Sequence, residues 1–264
     1  NSGAGNQENK SSVWSDYTAV WHLNESPSGS SDEIVDSTLN SYDGTSFGGM
    51  DGSNSTSAKI GDGLDFDGTG DYIALDIYHD TFESIPELTT CTWFNTTFSS
   101  GGVNNNWSFL DFDNGEYFNF FLGGINGEVY FGTNGTGGTL SFGGNTQSLN
   151  DGTWHYACVV YDGTDKRIYV DGDPDGTSVN AHGGDYLGSG TTRYALIGDG
   201  SEAETFNGGQ NSVFYEGQMD ELQYLETEMS ADWIKTTFNN QDNPATFLST
   251  SAEELYSNHD HITI

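Results

Sequence analysis

Apolar residues in this chain recur at every second position in short runs, and clusters of Gly, Asp and Asn separate the runs. Leu64 and Phe66 alternate with Asp65 and Asp67, the period of two that a strand with one buried face requires. The same reading predicts strands over 19–23, 88–98, 109–112, 117–122, 128–132, 154–161, 167–170 and 194–198. In 88–98, Cys91, Trp93 and Asn95 fall on one face and Thr92, Phe94 and Thr96 on the other. The turn Asp162-Gly163-Thr164-Asp165 joins two apolar runs, a signal for an antiparallel hairpin. In that hairpin Trp154, Val159 and Tyr161 read as core and sheet residues, with Cys158 on the face opposite Val159. One segment, 230–238, departs from the alternation. Ser230 caps it, Asp232 sits in its first turn, and Trp233, Ile234 and Phe238 give it an apolar side, which predicts a short helix.

Composition supports an all-β reading. Only 33% of the 264 residues are hydrophobic, yet 14% are aromatic, so the core is built from large side chains. Thirty-six Gly against four Pro suit many short strands joined by tight turns. Residues 1–12 read as a linker, 13–248 as the domain, and 249–264 as a tail or linker toward a following domain. The chain opens at Asn1 without a Met or a leader-like stretch, so it is expected to be processed or part of a longer multidomain chain.

Charge narrows the partners. Forty acidic against six basic residues leave a formal −34, which excludes a nucleic acid held through its phosphates and argues against an anionic membrane. Two sources of the acidity stay open: a salt-adapted, halophilic surface, or such a surface with added calcium sites. Either points to an extracellular or cell-surface location. No apolar run approaches the length of a membrane-spanning helix. Cys91 and Cys158 each fall in an expected strand, which fits a cross-strand disulfide or two buried thiols.

Several motifs occur together in one order. S-x-Y-x-A-V-W-H-L-N-E spans 15–25, and Asp36-Ser37-Thr38-Leu39-Asn40-Ser41-Tyr42-Asp43-Gly44-Thr45 follows. K-x-G-x-G-L-x-F-D-G-x-x-D-Y-I spans 59–73. T-W-H-x-x-x-V-V-Y-D-G starts at Thr153, and G-x-M-D-E-L-x-Y starts at Gly217. Over 14–248 this series resembles the laminin-G-like, concanavalin A-like jelly-roll domains of multidomain surface proteins, with Leu39 where Gly is commoner. The resemblance implies a last strand over 214–225 and a two-sheet antiparallel β-sandwich, a jelly roll, with one short C-terminal helix. It also implies a non-catalytic role in adhesion, with a glycan or glycoprotein on a surface as partner.

Candidate chemistry lies in the loops. Asp36, Asn40 and Asp43 offer oxygens within one loop, and the resemblance implies a structural calcium joining that loop to Asp220 of the last strand; Asx-turns alone also account for these residues. Asn106 and Trp107, with Asp111, Asp113 and Tyr117, form the first candidate ligand site, a ring for stacking with acid and amide partners; the alternative for Trp107 is a core position. The loop Asp199–Gln210 is a second. His155 reads as a packed or hydrogen-bonded strand histidine rather than a general base. The strings Glu33-Ile34-Val35-Asp36 and Asp220 to Glu226 do not reproduce the paired-carboxylate spacing of jelly-roll glucanases, and no nucleophile motif appears. Sequons at Asn9, Asn24, Asn54, Asn95, Asn106 and Asn134 suit a glycoprotein but are no more than the Asn, Ser and Thr content yields by chance. His259-Asp260-His261 is a weak metal-like string. Two other readings remain: a structural or assembly unit of a surface layer or filament, and a glycoside hydrolase with an unrecognised site.

Overall fold

The computed structural model describes residues 10–80, 84–99, 106–123 and 126–244. The tail expected at 249–264, with its His259-Asp260-His261 string, and Asn9 lie outside them. A one-turn helix α1 (Lys10–Val13) crosses the expected junction of linker and domain. The strands that follow are β1 (Ala19–Trp21), β2 (Gly44–Phe47), β3 (Ser55–Ser57), β4 (Asp62–Asp67), β5 (Tyr72–His79), β6 (Leu88–Asn95), β7 (Asn106–Asp111) and β8 (Phe118–Gly123). After them come β9 (Glu128–Gly135), β10 (Gly138–Gly143), β11 (His155–Tyr161), β12 (Asp165–Val170), β13 (Asp173–Pro174), β14 (Val179–Asn180), β15 (Arg193–Ile197) and β16 (Glu216–Leu225), then helix α2 (Ala231–Asp242).

Two antiparallel sheets face each other. The first runs β13-β12-β11-β6-β16-β4-β3, with β1 on β16 and β14 on β12; the second runs β10-β9-β8-β7-β15-β5-β2. The chain changes sheet repeatedly, so the last strand β16 lies between the early strands β4 and β6. Inward residues of both sheets form one core that includes Trp21, Phe66, Phe94, Phe109, Phe118, Tyr161, Tyr215 and Tyr224. This is the two-sheet sandwich with a C-terminal helix that the sequence implies. Non-local pairing of this kind is what alternating strands with polar outer faces can support.

One cation enters the core. Lys166 on β12 is buried, and its Nζ donates to Phe131 O at 2.8 Å, Thr133 Oγ1 at 3.1 Å and Leu140 O at 2.6 Å. It therefore ties the first sheet to β9 and β10 of the second. Burial pushes its pKa down to about 7.

A second cluster covers the outer face of the first sheet under α2. Ile234 and Phe238 of the helix pack on Trp93, Tyr156 and Val160 around Cys91 and Cys158. Trp93 stacks on Phe238 with centroids 5.5 Å apart and donates its indole N–H to Gln241 Oε1 at 2.7 Å. Ser230 caps the helix as expected, its side chain accepting from Trp233 N. Cys91 and Cys158 sit directly opposite on β6 and β11, their Cα atoms 4.1 Å apart, and form a disulfide. Trp154 belongs to this outer cluster and not with Val159 and Tyr161. An odd separation along an extended chain reverses the face, so the grouping of these three is corrected.

Candidate functional site

The loop expected to hold calcium is organised by its own backbone. Asp36 is buried and accepts from Val20 N (3.0 Å), Thr38 N (2.9 Å), Thr38 Oγ1 (2.7 Å) and Tyr42 N (3.0 Å). Asp43 Oδ1 accepts from Asp36 N at 2.8 Å, and Asn40 turns its amide N–H to Thr18 O at 2.9 Å. Asp220 stands apart on β16, where it accepts from Ile60 N at 2.7 Å and burial pushes its pKa up to about 7. Among the described residues no group of three or more His, Cys, Asp or Glu is placed to hold a metal ion. In this conformation Asp36, Asp43 and Asp220 are not grouped to hold a metal ion, and each Asp36 oxygen already accepts two donors.

The second expected site divides between core and surface. Trp107 is 4% exposed and meets Phe98 edge-to-face at 4.9 Å, so its ring fills the sandwich instead of offering a stacking surface. Tyr117 is also in the core, its hydroxyl donating to Asp80 O at 2.6 Å. Asn106 is the first residue of β7. Asp111 and Asp113, in contrast, line a small cleft of about 140 Å³ with Ser108, Asn114, Asn119, Asn211 and Val213.

Two irregularities build that cleft. A bulge between Ser108 and Leu110 shifts the phase of β7, so Ser108 and Asp111 both reach the outer face although three residues apart. Asp113 then adopts φ 67° and turns the chain. Ser108 Oγ donates to Asp111 Oδ2 at 3.1 Å and Asp113 N to Asp111 Oδ1 at 2.5 Å. Phe118 and Phe120 point inward, which leaves Asn119 between them facing out, opposite Asp111. The Asn119 side-chain amide oxygen, Oδ1, is buried without a hydrogen-bond partner. The loop after β15 closes the far wall: Ala203 O accepts from Tyr194 N at 2.8 Å, and Asn211 and Val213 reach the cleft. The expected second loop, Asp199–Gln210, thus stands beside the first candidate site.

Electrostatics differ sharply between neighbours. Burial pushes Asp111 up to about 7. Burial also opposes ionisation of Asp113, but hydrogen bonds from Glu116 and Arg193 outweigh it and hold the carboxyl below its ordinary value. Arg193 Nε donates to Asp113 Oδ2 at 2.8 Å, and its guanidinium lies 3.3 Å from Glu116, 3.7 Å from Glu202 and 3.6 Å from Glu204. The hydrogen bond to Asp113, together with burial, raises Glu116 to about 7. One arginine therefore anchors an acidic rim.

An aromatic plate adjoins the cleft on the same face. Inward Ile73, Leu75 and Ile77 leave Tyr78 outward on β5. Its ring stacks on Tyr194 of β15 at 4.8 Å and 28°, and Tyr78 is 45% exposed. Tyr194 stands two residues from Leu196, the cross-strand partner of Asp111. Tyr78, Tyr194, Ser108, Asn119 and Asn211 were not among the expected ligand residues. The period-two pattern of Ile73, Leu75 and Ile77 already carries the signal for Tyr78.

His155 is the hydrogen-bonded strand histidine expected, with Nδ1 2.9 Å from Asp171 Oδ2. The acidic string on β16 is broken by a bulge between Asp220 and Gln223, with Glu221 at φ 54°.

The model of the concanavalin A-like lectin/glucanases superfamily matches residues 67–253. No curated protein sequence matches the chain. Among solved structures it is similar to domain 4 of AbnA, an extracellular arabinanase from Geobacillus stearothermophilus in complex with arabinotriose: TM-score 0.57, 16% identity, 83% of this chain and 97% of that one. It is also similar to the binding domain of Paraclostridial Mosquitocidal Protein 1 (TM-score 0.56, 13% identity, 83% of this chain and 52% of that one). The receptor binding domain of botulinum neurotoxin D gives TM-score 0.57 at 10% identity over 86% of this chain and 53% of that one. The chain thus spans about half the length of the two toxin domains.

Proposed function

The chain belongs to the concanavalin A-like lectin/glucanases superfamily, and on that footing we propose that it is a non-catalytic, extracellular binding module for glycans, free or carried on glycoproteins. The observation that carries this reading is the exposed Tyr78–Tyr194 stack beside a cleft of amides and carboxylates. A pyranose or furanose ring presents an apolar face suited to such a plate, and its hydroxyls suit Asn114, Asn119, Asn211 and the Asp111–Asp113 pair. The arabinotriose held by the similar arabinanase domain supports a sugar of this kind. The commitments of the carboxylates support the non-catalytic part: Asp113 is engaged by Arg193 and Gly115 N, and Asp111 by Ser108 and Asp113 N. The disulfide suits an oxidising compartment.

A glycan array probed with the whole chain, with calcium and with chelator, tests the proposal. Capture of one neutral oligosaccharide class is expected in both conditions, weakened about tenfold, or about 1.4 kcal/mol, in Tyr78→Ala. No capture on any glycan would sink the reading, and release of reducing ends from the captured class would sink its non-catalytic part.

A further inference from the structure

The four sheet ends of this sandwich are not alike. Three are blunt: β3 has three residues, β13 and β14 have two each, and the four-residue β2 is covered by a bridge from Ile34 to Gly44. The fourth is β10, six residues long and paired to β9 without a register break from Gly138↔Gly135 to Gly143↔Tyr130. Leu140 and Phe142 lean on the core, while Thr139 and Ser141 are exposed. The usual devices that stop a strand edge from pairing are charge, proline, bulges and shortness, and β10 has none of them.

Charge says what could lie against it. The chain carries −34 overall, yet no residue from Val129 to Asn150 is charged. A basic partner would be drawn to the acidic faces. A partner as acidic as this chain can approach to strand spacing, about 4.8 Å, only where neither surface bears carboxylates. A second copy meets that condition when the two neutral edges coincide; Asp175, which reaches the loop after β10, is buried there against Asn145 N and Thr146 N.

We propose that β10 is a self-association edge, pairing antiparallel with β10 of a second copy about a two-fold axis and joining the two second sheets into one. Thr139 and Ser141 of each copy then face their counterparts, a cross-strand pairing suited to hydroxyls. Such a contact is isologous and closes as a dimer. Repulsion between the acidic bodies opposes it at low salt and is screened as the Debye length falls from about 10 Å at about 0.1 M to about 3 Å at about 1 M.

Sedimentation equilibrium of the whole chain across that salt range is the test. Monomer is expected at low salt and dimer at high salt. The double variant Thr139→Glu, Ser141→Glu should stay monomeric throughout, and Thr139→Ser, Ser141→Thr should dimerise as the parent does. A parent that stays monomeric at high salt overturns the proposal, as does a glutamate variant that dimerises equally well. Because a misfolded variant would also fail to dimerise, amide exchange of the parent gives an independent reading. Residues 138–143 should gain protection on dimerisation; dimerisation without it places the contact elsewhere and overturns the proposal.

Discussion

Lys166 makes the stability of this protein depend on pH in a direction opposite to that of an ordinary surface lysine. In the unfolded chain its amine holds a proton up to about 10.5, and in the folded chain burial lowers that to about 7. Between those values the unfolded state binds more protons, so stability rises with pH, by at most about 1.4 kcal/mol per unit. Below about pH 7 both states are protonated, and the full cost of the buried charge is carried. The three acceptors around Nζ match the three N–H bonds of an ammonium and work against the depression, so the slope falls short of that ceiling. Urea unfolding at about pH 7.5 and about pH 9, at fixed salt, reads it: the parent should gain up to about 2 kcal/mol. Lys166→Met removes the titrating group while filling similar space, and its stability should lack this increment. It also removes one donor from Phe131 O and one from Leu140 O, the latter still accepting from Thr133 Oγ1 at 3.4 Å, and that loss is independent of pH. Histidines, acids and tyrosines are common to both proteins and cancel in the comparison. Equal pH slopes in parent and variant would refute the argument.

Three further outcomes are expected. Replacing Cys91 and Cys158 by Ser should cost about 2–4 kcal/mol, since the bond closes a separation of 67 residues; denaturant midpoints of the oxidised parent and the variant measure it. Glu216 lies directly opposite Asp67, and burial and nearby Asp65 and Asp67 raise its pKa. Glu216→Gln should therefore stabilise the fold by roughly 0.2–1 kcal/mol at low salt and by nearly nothing in concentrated salt, a contrast thermal melts can follow. For His155, burial favours the neutral ring, but hydrogen bonding to Asp171 and the nearby acids outweigh it and raise the pKa. Its stabilising contribution is complete below the unfolded value near 6.5 and is lost as pH rises through the folded one. Asp171→Asn should lower the imidazole pKa read by NMR titration; an unchanged value would deny the pairing.

The architecture was legible wherever one face of a strand is apolar. Leu64 and Phe66, Cys91 and Trp93, and the run from Val159 to Tyr161 announce their strands, and the face occupied by Cys91 and Cys158 follows from counting by two. The motif order carried the two-sheet topology, which periodicity alone cannot supply because β16 pairs with strands more than a hundred residues away. The candidate site was only half legible. Asp111 and Asp113 stand out by type, but the bulge that turns Ser108 and Asp111 to one face leaves no mark in composition. Trp107 looks like a sugar-stacking ring in a sequence and is a core residue because its neighbours alternate inward with it. The exposed ring is Tyr78, inconspicuous among fourteen tyrosines. β10 went unread because Gly138–Gly143 holds too few apolar residues to alternate.

The placement of the disulfide has a kinetic meaning. Both cysteines are fully buried beneath Ile234 and Phe238, so a thiol reductant has no path to the sulfurs while α2 is docked. Exchange requires in-line approach to a sulfur atom, and that approach opens when the helix lifts from Trp93 and Tyr156. The rate of reduction under native conditions therefore counts the openings of α2, making the bond a chemical clock for the helix docked on this sheet.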